Sequence, residues 1–107
     1  MSKQNQNTEH LFFIDIKNEQ MTNKDHEFNL DVNDKVLFDK SIKAEPNNIA
    51  IIKDNQDEYN IVLLKENSTK ELVGTFLNEK YKGLEIAIKE VIAIALESRK
   101  PSRVFRG

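Results

Sequence analysis

The chain has no cysteine and no tryptophan, and only two prolines and three glycines in 107 residues. Without cysteine there is no disulfide, no thiolate metal site and no Cys nucleophile, which fits a reducing compartment. Gly74, Gly83 and Gly107 are too scattered to form a phosphate-cradling loop. His10 and His26 are the only imidazoles, and each precedes an apparent strand. That placement reads as two strand-edge histidines rather than a metal pair, so no metal and no cofactor is expected. The longest apolar run, Val91 to Leu96, is far short of the ~20 residues needed to span a bilayer. Met1 to Glu9 is polar and lacks the apolar core of a secretory signal. The protein therefore reads as cytoplasmic, with no membrane partner.

What is present is enough for one small domain. The hydrophobic share is 38% and the charged share 32%, compatible with a folded core under a well-solvated surface. The net charge of −2 hides an asymmetry. Arg99, Lys100, Arg103 and Arg106 fall in the last nine residues without an acid, leaving 12 of the 16 cations against all 18 acids, a balance of −6. An acidic body disfavours broad nucleic-acid binding. The basic tail, residues 100–107, reads first as a solvated terminus; contact with phosphate or an acidic partner is the functional alternative.

Residues 1–9, rich in Gln and Asn, read as a disordered arm, and residues 10–99 as the single domain. Leu11 to Ile16 reads as a strand. In Glu27 to Val32, Phe28, Leu30 and Val32 alternate with Glu27, Asn29 and Asp31, the period of a half-buried strand. Asn33-Asp34 marks a turn before a strand at Lys35 to Asp39. Ile49 to Lys53 and Tyr59 to Leu64 flank Asp54-Asn55-Gln56-Asp57, a hairpin pattern. Leu72 to Leu77 is a further strand, with Gly74 as a possible bulge.

The last third admits two readings. As a helix over 80–98, Leu84, Ala87, Ile88, Val91 and Ala95 form an apolar stripe, and Glu85 meets Lys89 at i,i+4. As strands, Leu84, Ile86 and Ile88 share one face. After a break near Lys89-Glu90, Ile92, Ile94 and Leu96 share another, which omits only Val91. Local propensity favours the helix by a small margin; the alternation favours strands. The fold class is thus mainly β, with an α+β sheet carrying a C-terminal helix as the alternative.

The order of these pieces resembles the self-cleaving domain of LexA-type repressors, their phage relatives and UmuD-like proteins. Leu11 to Lys17 is similar to the first strand of that family, and Asn18-Glu19-Gln20-Met21 stands where Gly-Asp-Ser-Met is found. Asn33 to Lys40 is similar to the Gly-Asp strand, with Asn33 in place of Gly. Asn48 to Lys53 and Tyr59 to Leu64 resemble the central hairpin. Leu77-Asn78-Glu79-Lys80-Tyr81 resembles a Leu-Asn-Tyr element, and Glu90 to Leu96 the closing strand. The resemblance covers about residues 10–100. It implies a twisted β-sheet domain whose nucleophile falls at Gln20 and whose general base falls at Val62. Neither can act: an amide does not attack a peptide carbonyl, and Val62 accepts no proton. No Ala-Gly or Cys-Gly cleavage pair precedes the domain.

The resemblance therefore implies a non-catalytic protein-interaction and dimerisation domain. Its partner would be a second copy or a LexA/repressor-like homologue, in a phage-type or DNA-damage-linked (SOS) transcription switch. Pairing would run through the closing strand, with Val91, Ile92, Ile94, Leu96, Arg99 and Arg103 as interaction residues. A different class remains open: a small acidic inhibitor or accessory protein of a mobile element that masks a nucleic-acid-binding enzyme. Nucleic-acid binding by the basic tail is the third option. Ser41 and Ser68 have no His close in sequence, and Asp54, Asp57 and Glu58 lack the spacing and Gly of a calcium loop. The seven Phe and Tyr side chains between Phe12 and Tyr81 lie on apolar strands, where core packing is the default.

Overall fold

The computed structural model describes residues 9–101. Most of the 1–9 arm, the 102–107 part of the basic tail and the proposed contact residue Arg103 lie outside them. Six strands follow in order: β1 (Leu11–Asp15), β2 (Lys35–Asp39), β3 (Ile49–Asp54), β4 (Tyr59–Glu66), β5 (Leu72–Thr75) and β6 (Ile86–Arg99). A single 3-10 turn, Glu79–Tyr81, precedes β6. All pairings are antiparallel, in the order β1-β2-β6-β3-β4-β5, and β5 returns to pair with β6. Strands β3, β4, β5 and β6 therefore close on themselves, and β2 and β1 extend the sheet from the far half of β6.

Burial on both faces makes β3 the centre. Ala50 and Ile52 enter one core with Val62, Leu64 and Ile94. Ile49 and Ile51 enter the other with Ile16, Met21, Val36, Phe38 and Leu63. An unbroken Ile-Ala-Ile-Ile run suits a strand covered on both sides, and β-branched side chains fit the pleat.

The mainly β reading holds, and no helix forms over 80–98. The register of β6 shows why the pattern was ambiguous. Its partners step over Lys89, Ile92 and Leu96, so each of these residues is an extra, bulged position. Ile86, Ile88, Val91 and Ile94 consequently all reach the same core. Val91, which strict alternation left over, is placed by the bulges on its flanks. Strands on both sides of β6 supply its backbone bonds, and that tertiary pairing outweighs the local helix propensity.

Two other expectations are corrected. Glu27 to Val32 is not a strand; it lies in turns and irregular chain. Only Leu30 of its apolar positions is buried, whereas Phe28 and Val32 are each 38% exposed. Local groups take the backbone bonds a neighbouring strand would need: His26 Nδ1 accepts from the Phe28 N–H, Asp34 from the Asp31 N–H, and the His26 and Met21 carbonyls from the N–H groups of Asn29 and Leu30. Gly74 is not a bulge, because β5 keeps regular register with β4, Gly74 opposite Leu64. Its role is close approach: a Cβ there would lie 2.9 Å from Val62 Cγ2. Asn33 at φ 79° and Asp57 at φ 64° confirm the two turns.

Over Glu90 to Leu96, strand β6 is paired on one side at each stretch and on both sides only at Ile94. Strand β3 pairs along one side from Ile88 to Ile94, and β2 along the other from Ile94 to Arg99. Strand partners occupy only one side of β6 at a time on either side of Ile94. Without strand partners among the described residues are the β3 side of residues 95–99 and the β2 side of residues 88–93.

Candidate functional site

A cleft of about 570 Å³ opens between β1 and β4. Phe12 and Ile14 from β1, Ile61 from β4 and Ile92 from β6 give it an apolar floor; all four are half-buried. The bulge at Lys89 puts Val91 on the closed-core face, so Ile92, the next residue, falls on the cleft face. Tyr59, 63% exposed, stands at the rim. Strand β1 pairs with β2 alone, so its second backbone edge is free of strand partners among the described residues. An apolar trough beside an open strand edge suits an extended polypeptide, which would pair by backbone and place alternate side chains in the trough.

The loop after β1 closes the cleft. Gln20 and Met21 line it, Met21 from a buried position and Gln20 half-exposed. This loop is held from the far end of the chain. Asn78 Nδ2 donates to the Glu19 carbonyl (2.8 Å), and the Asn78 N–H donates to the Gln20 carbonyl (3.0 Å). Asn78 Oδ1 also accepts from the Lys80 N–H, capping the 3-10 turn. Asn23 Nδ2 adds a bond to the Leu77 carbonyl. One residue thus fixes the 19–20 loop and starts the next turn, a function the sequence did not reveal beyond the Leu-Asn-Tyr resemblance.

The two positions where the resembled family carries its nucleophile and base are not brought together. Gln20 lines the cleft, but Val62 is fully buried in the other core, against Gly74. Its neighbours on β4, Ile61 and Asn60, line the cleft instead. No Ser, Thr or Cys lines it among the described residues.

A second set of groups converges outside the cleft. Ser41 donates to Asp39 Oδ1 through both Oγ (2.6 Å) and its N–H (2.7 Å), and His10 Nε2 lies 3.8 Å from Asp39 Oδ2. These bonds, chiefly those of Ser41, hold the Asp39 carboxyl below its usual range. The aspartate stands between serine and imidazole, so the imidazole has no access to the hydroxyl proton and the serine is not activated. The arrangement is a capped turn. His26 bonds the Phe28 N–H and is well apart in the chain from His10; the described residues hold no group of three or more possible metal ligands.

The expected interaction residues separate. Ile94 is buried at 3% exposure, Val91 and Ile92 are half-buried and Leu96 is 49% exposed. Arg99 lies over the Phe13 ring, 5.4 Å from its centroid, and pairs with Glu97 at 2.9 Å. Lys100, the first residue of the basic tail, is tied down: Nζ donates to Asp31 Oδ2 (2.6 Å) and Asp34 Oδ2 (2.9 Å). These bonds, with those from Lys24 and Asn29, push the Asp31 carboxyl far below its ordinary value. No helix among the described residues is long and apolar enough to cross a membrane. No protein-family model and no curated protein matches the chain.

Proposed function

We propose that the chain is a non-catalytic protein-interaction domain of LexA/UmuD-like type. It holds an extended polypeptide segment, from a second copy or a repressor homologue, in the β1–β4 cleft. Such capture would serve a phage-type or DNA-damage-linked transcription switch. The observation that carries the reading is the apolar trough beside the open edge of β1, roofed by the Gln20 loop. An extended guest finds both backbone partners and apolar area there. The absence of Ser, Thr and Cys from the lining among the described residues, and the burial of Val62 elsewhere, support capture without cutting.

The test is fluorescence anisotropy with a labelled, end-blocked peptide, Val-Phe-Val-Ala-Val-Gly-Ser. Saturable binding that weakens about tenfold or more in Ile61→Asp, through a charge set in an apolar trough, is the expected result. Tyr59→Ala, at an exposed site that does not endanger the fold, should weaken it by a smaller factor. Unchanged affinity in both variants would remove the cleft from consideration.

The open side of residues 95–99, with Leu96 exposed, favours a separate route to self-association. Sedimentation equilibrium distinguishes it. A dimer that Leu96→Asp dissociates and Ile61→Asp leaves intact belongs to this edge; the reverse pattern belongs to the cleft.

A further inference from the structure

The cleft does not end at Gln20 and Asn60. Both residues also line a shallower depression of about 360 Å³, so the two concavities share a wall. Beyond this waist the lining changes from apolar to acidic, with Asp54, Glu58 and Glu85. The carboxylates differ in availability. Asp54 is spent on the hairpin: Oδ1 accepts from the Gln56 and Glu58 N–H groups, and Oδ2 from Asn60 Nδ2. Glu58 and Glu85 are exposed, and neither side chain makes an ion pair or hydrogen bond among the described residues.

Register fixes where the charges stand along the cleft. Asp15 faces Lys35, which faces Arg99 at the C-terminal end of β6, so Lys17 just beyond lies at that end. The acidic depression is lined by Ile86 and Ala87, at the N-terminal end of β6. The apolar floor lies between. Lys17 likewise has no acidic partner among the described residues.

We propose that the extended cleft selects a polypeptide segment in which apolar residues are followed by a cationic one. The cationic side chain sits between Glu58 and Glu85, and Lys17 at the opposite end repels a second cation. The charge gradient thereby fixes the direction in which the guest lies. The inference rests on the cleft reading above and adds to it a sign of charge and an orientation. Complementary charge at a rim contributes selectivity and association rate more than bulk affinity.

The test uses three end-blocked, labelled probes: the neutral peptide above, the same peptide ending in Arg-Arg, and the same peptide ending in Glu-Glu. At low ionic strength the Arg-Arg probe should bind about tenfold more tightly than the Glu-Glu probe, the scale of two exposed ion pairs. The preference should shrink as salt is raised, since exposed charges are screened. Glu58→Lys/Glu85→Lys should reverse the order of the two charged probes while leaving the neutral probe unchanged. Both positions are exposed, and the Glu58 backbone bond to Asp54 is kept in the variant. Neutral-probe binding with no charge preference, or a preference that survives the double reversal, overturns this inference and leaves the cleft reading standing. Failure of all three probes to bind overturns both.

Discussion

Replacing Gly74 by alanine should destabilise the domain through one identifiable collision. The new Cβ would stand 2.9 Å from Val62 Cγ2 and 3.1 Å from both Val62 Cβ and Cγ1. Val62 is wholly buried among Ala50, Ile52, Leu64 and Ile94, so it has little room to give way. Overpacking of this kind costs about 1–3 kcal/mol. Alanine also restricts the unfolded chain and returns about 0.4–1 kcal/mol, because Gly74 does not use the left-handed region. The net loss should be about 1–2 kcal/mol, or roughly 5–15 °C in Tm for a domain of this size. Val62→Ala alone should cost about 2 kcal/mol, from two lost methyls and the cavity they leave. Val62→Ala removes both methyls but keeps the Cβ at 3.1 Å, so adding Gly74→Ala to it should cost clearly less than in the unaltered chain. The double-mutant cycle, measured by urea denaturation, should therefore give a coupling of about 1 kcal/mol. Additivity within about 0.5 kcal/mol would refute the close approach of β5 to β4, and with it the closed β3-β4-β5-β6 ring.

Two further outcomes follow from side-chain bonds at the edges of the fold. Asn78→Ala removes the donor to the Glu19 carbonyl and the cap on Lys80; it should cost about 1–2 kcal/mol and speed amide hydrogen exchange in the 19–22 loop, whereas unchanged exchange there would deny Asn78 its positioning role. The Asp31 carboxyl, held chiefly by Lys100 and then by Lys24 and Asn29, titrates below its unfolded value of 3.8. The unfolded state therefore binds more protons on acidification, so this contribution is complete above the unfolded value and is lost as pH falls below it. Lys100→Met should flatten the decline of Tm between about pH 5 and pH 2; a decline as steep as that of the unaltered chain would show that the Lys100 bonds do not form in solution.

Five of the six strands were readable because each has a plain local signal. Leu11 to Asp15, Lys35 to Asp39 and the Ile49–Glu66 hairpin combine β-branched or aromatic runs with Asn and Asp turns that accept positive φ. Glu27 to Val32 failed for the opposite reason. Its period of two was real in sequence, but His26, Met21 and Asp34 satisfied its backbone N–H groups locally and no neighbouring strand pairs with it. Periodicity reports which faces a segment has, and not whether a partner exists to use them.

The ambiguity of β6 has a more specific physical origin. Its extra residues are Lys89, Ile92 and Leu96, spaced by three and then four positions. Each bulge exchanges the two faces of the strand, so the residues reaching one core are Ile86, Ile88, Val91 and Ile94. A strand bulged at that interval acquires steps of two and three, which overlap the i, i+3, i+4 steps of a helix. No window on this sequence alone separates the two. The same device produces the candidate site. The bulge at Lys89 turns Val91 to the closed core and its neighbour Ile92 to the cleft floor, and the bulge at Ile92 returns Ile94 to the closed core. The feature that hid the strand is therefore the one that builds the trough. It also accounts for the separation of Gln20 from Val62: placing them on one line of resemblance assigns positions in sequence, whereas the cleft is defined by which face of β4 looks toward Ile92. That face carries Ile61, so the β4 contribution to the cleft floor is apolar, with Asn60 beside Gln20 at the waist.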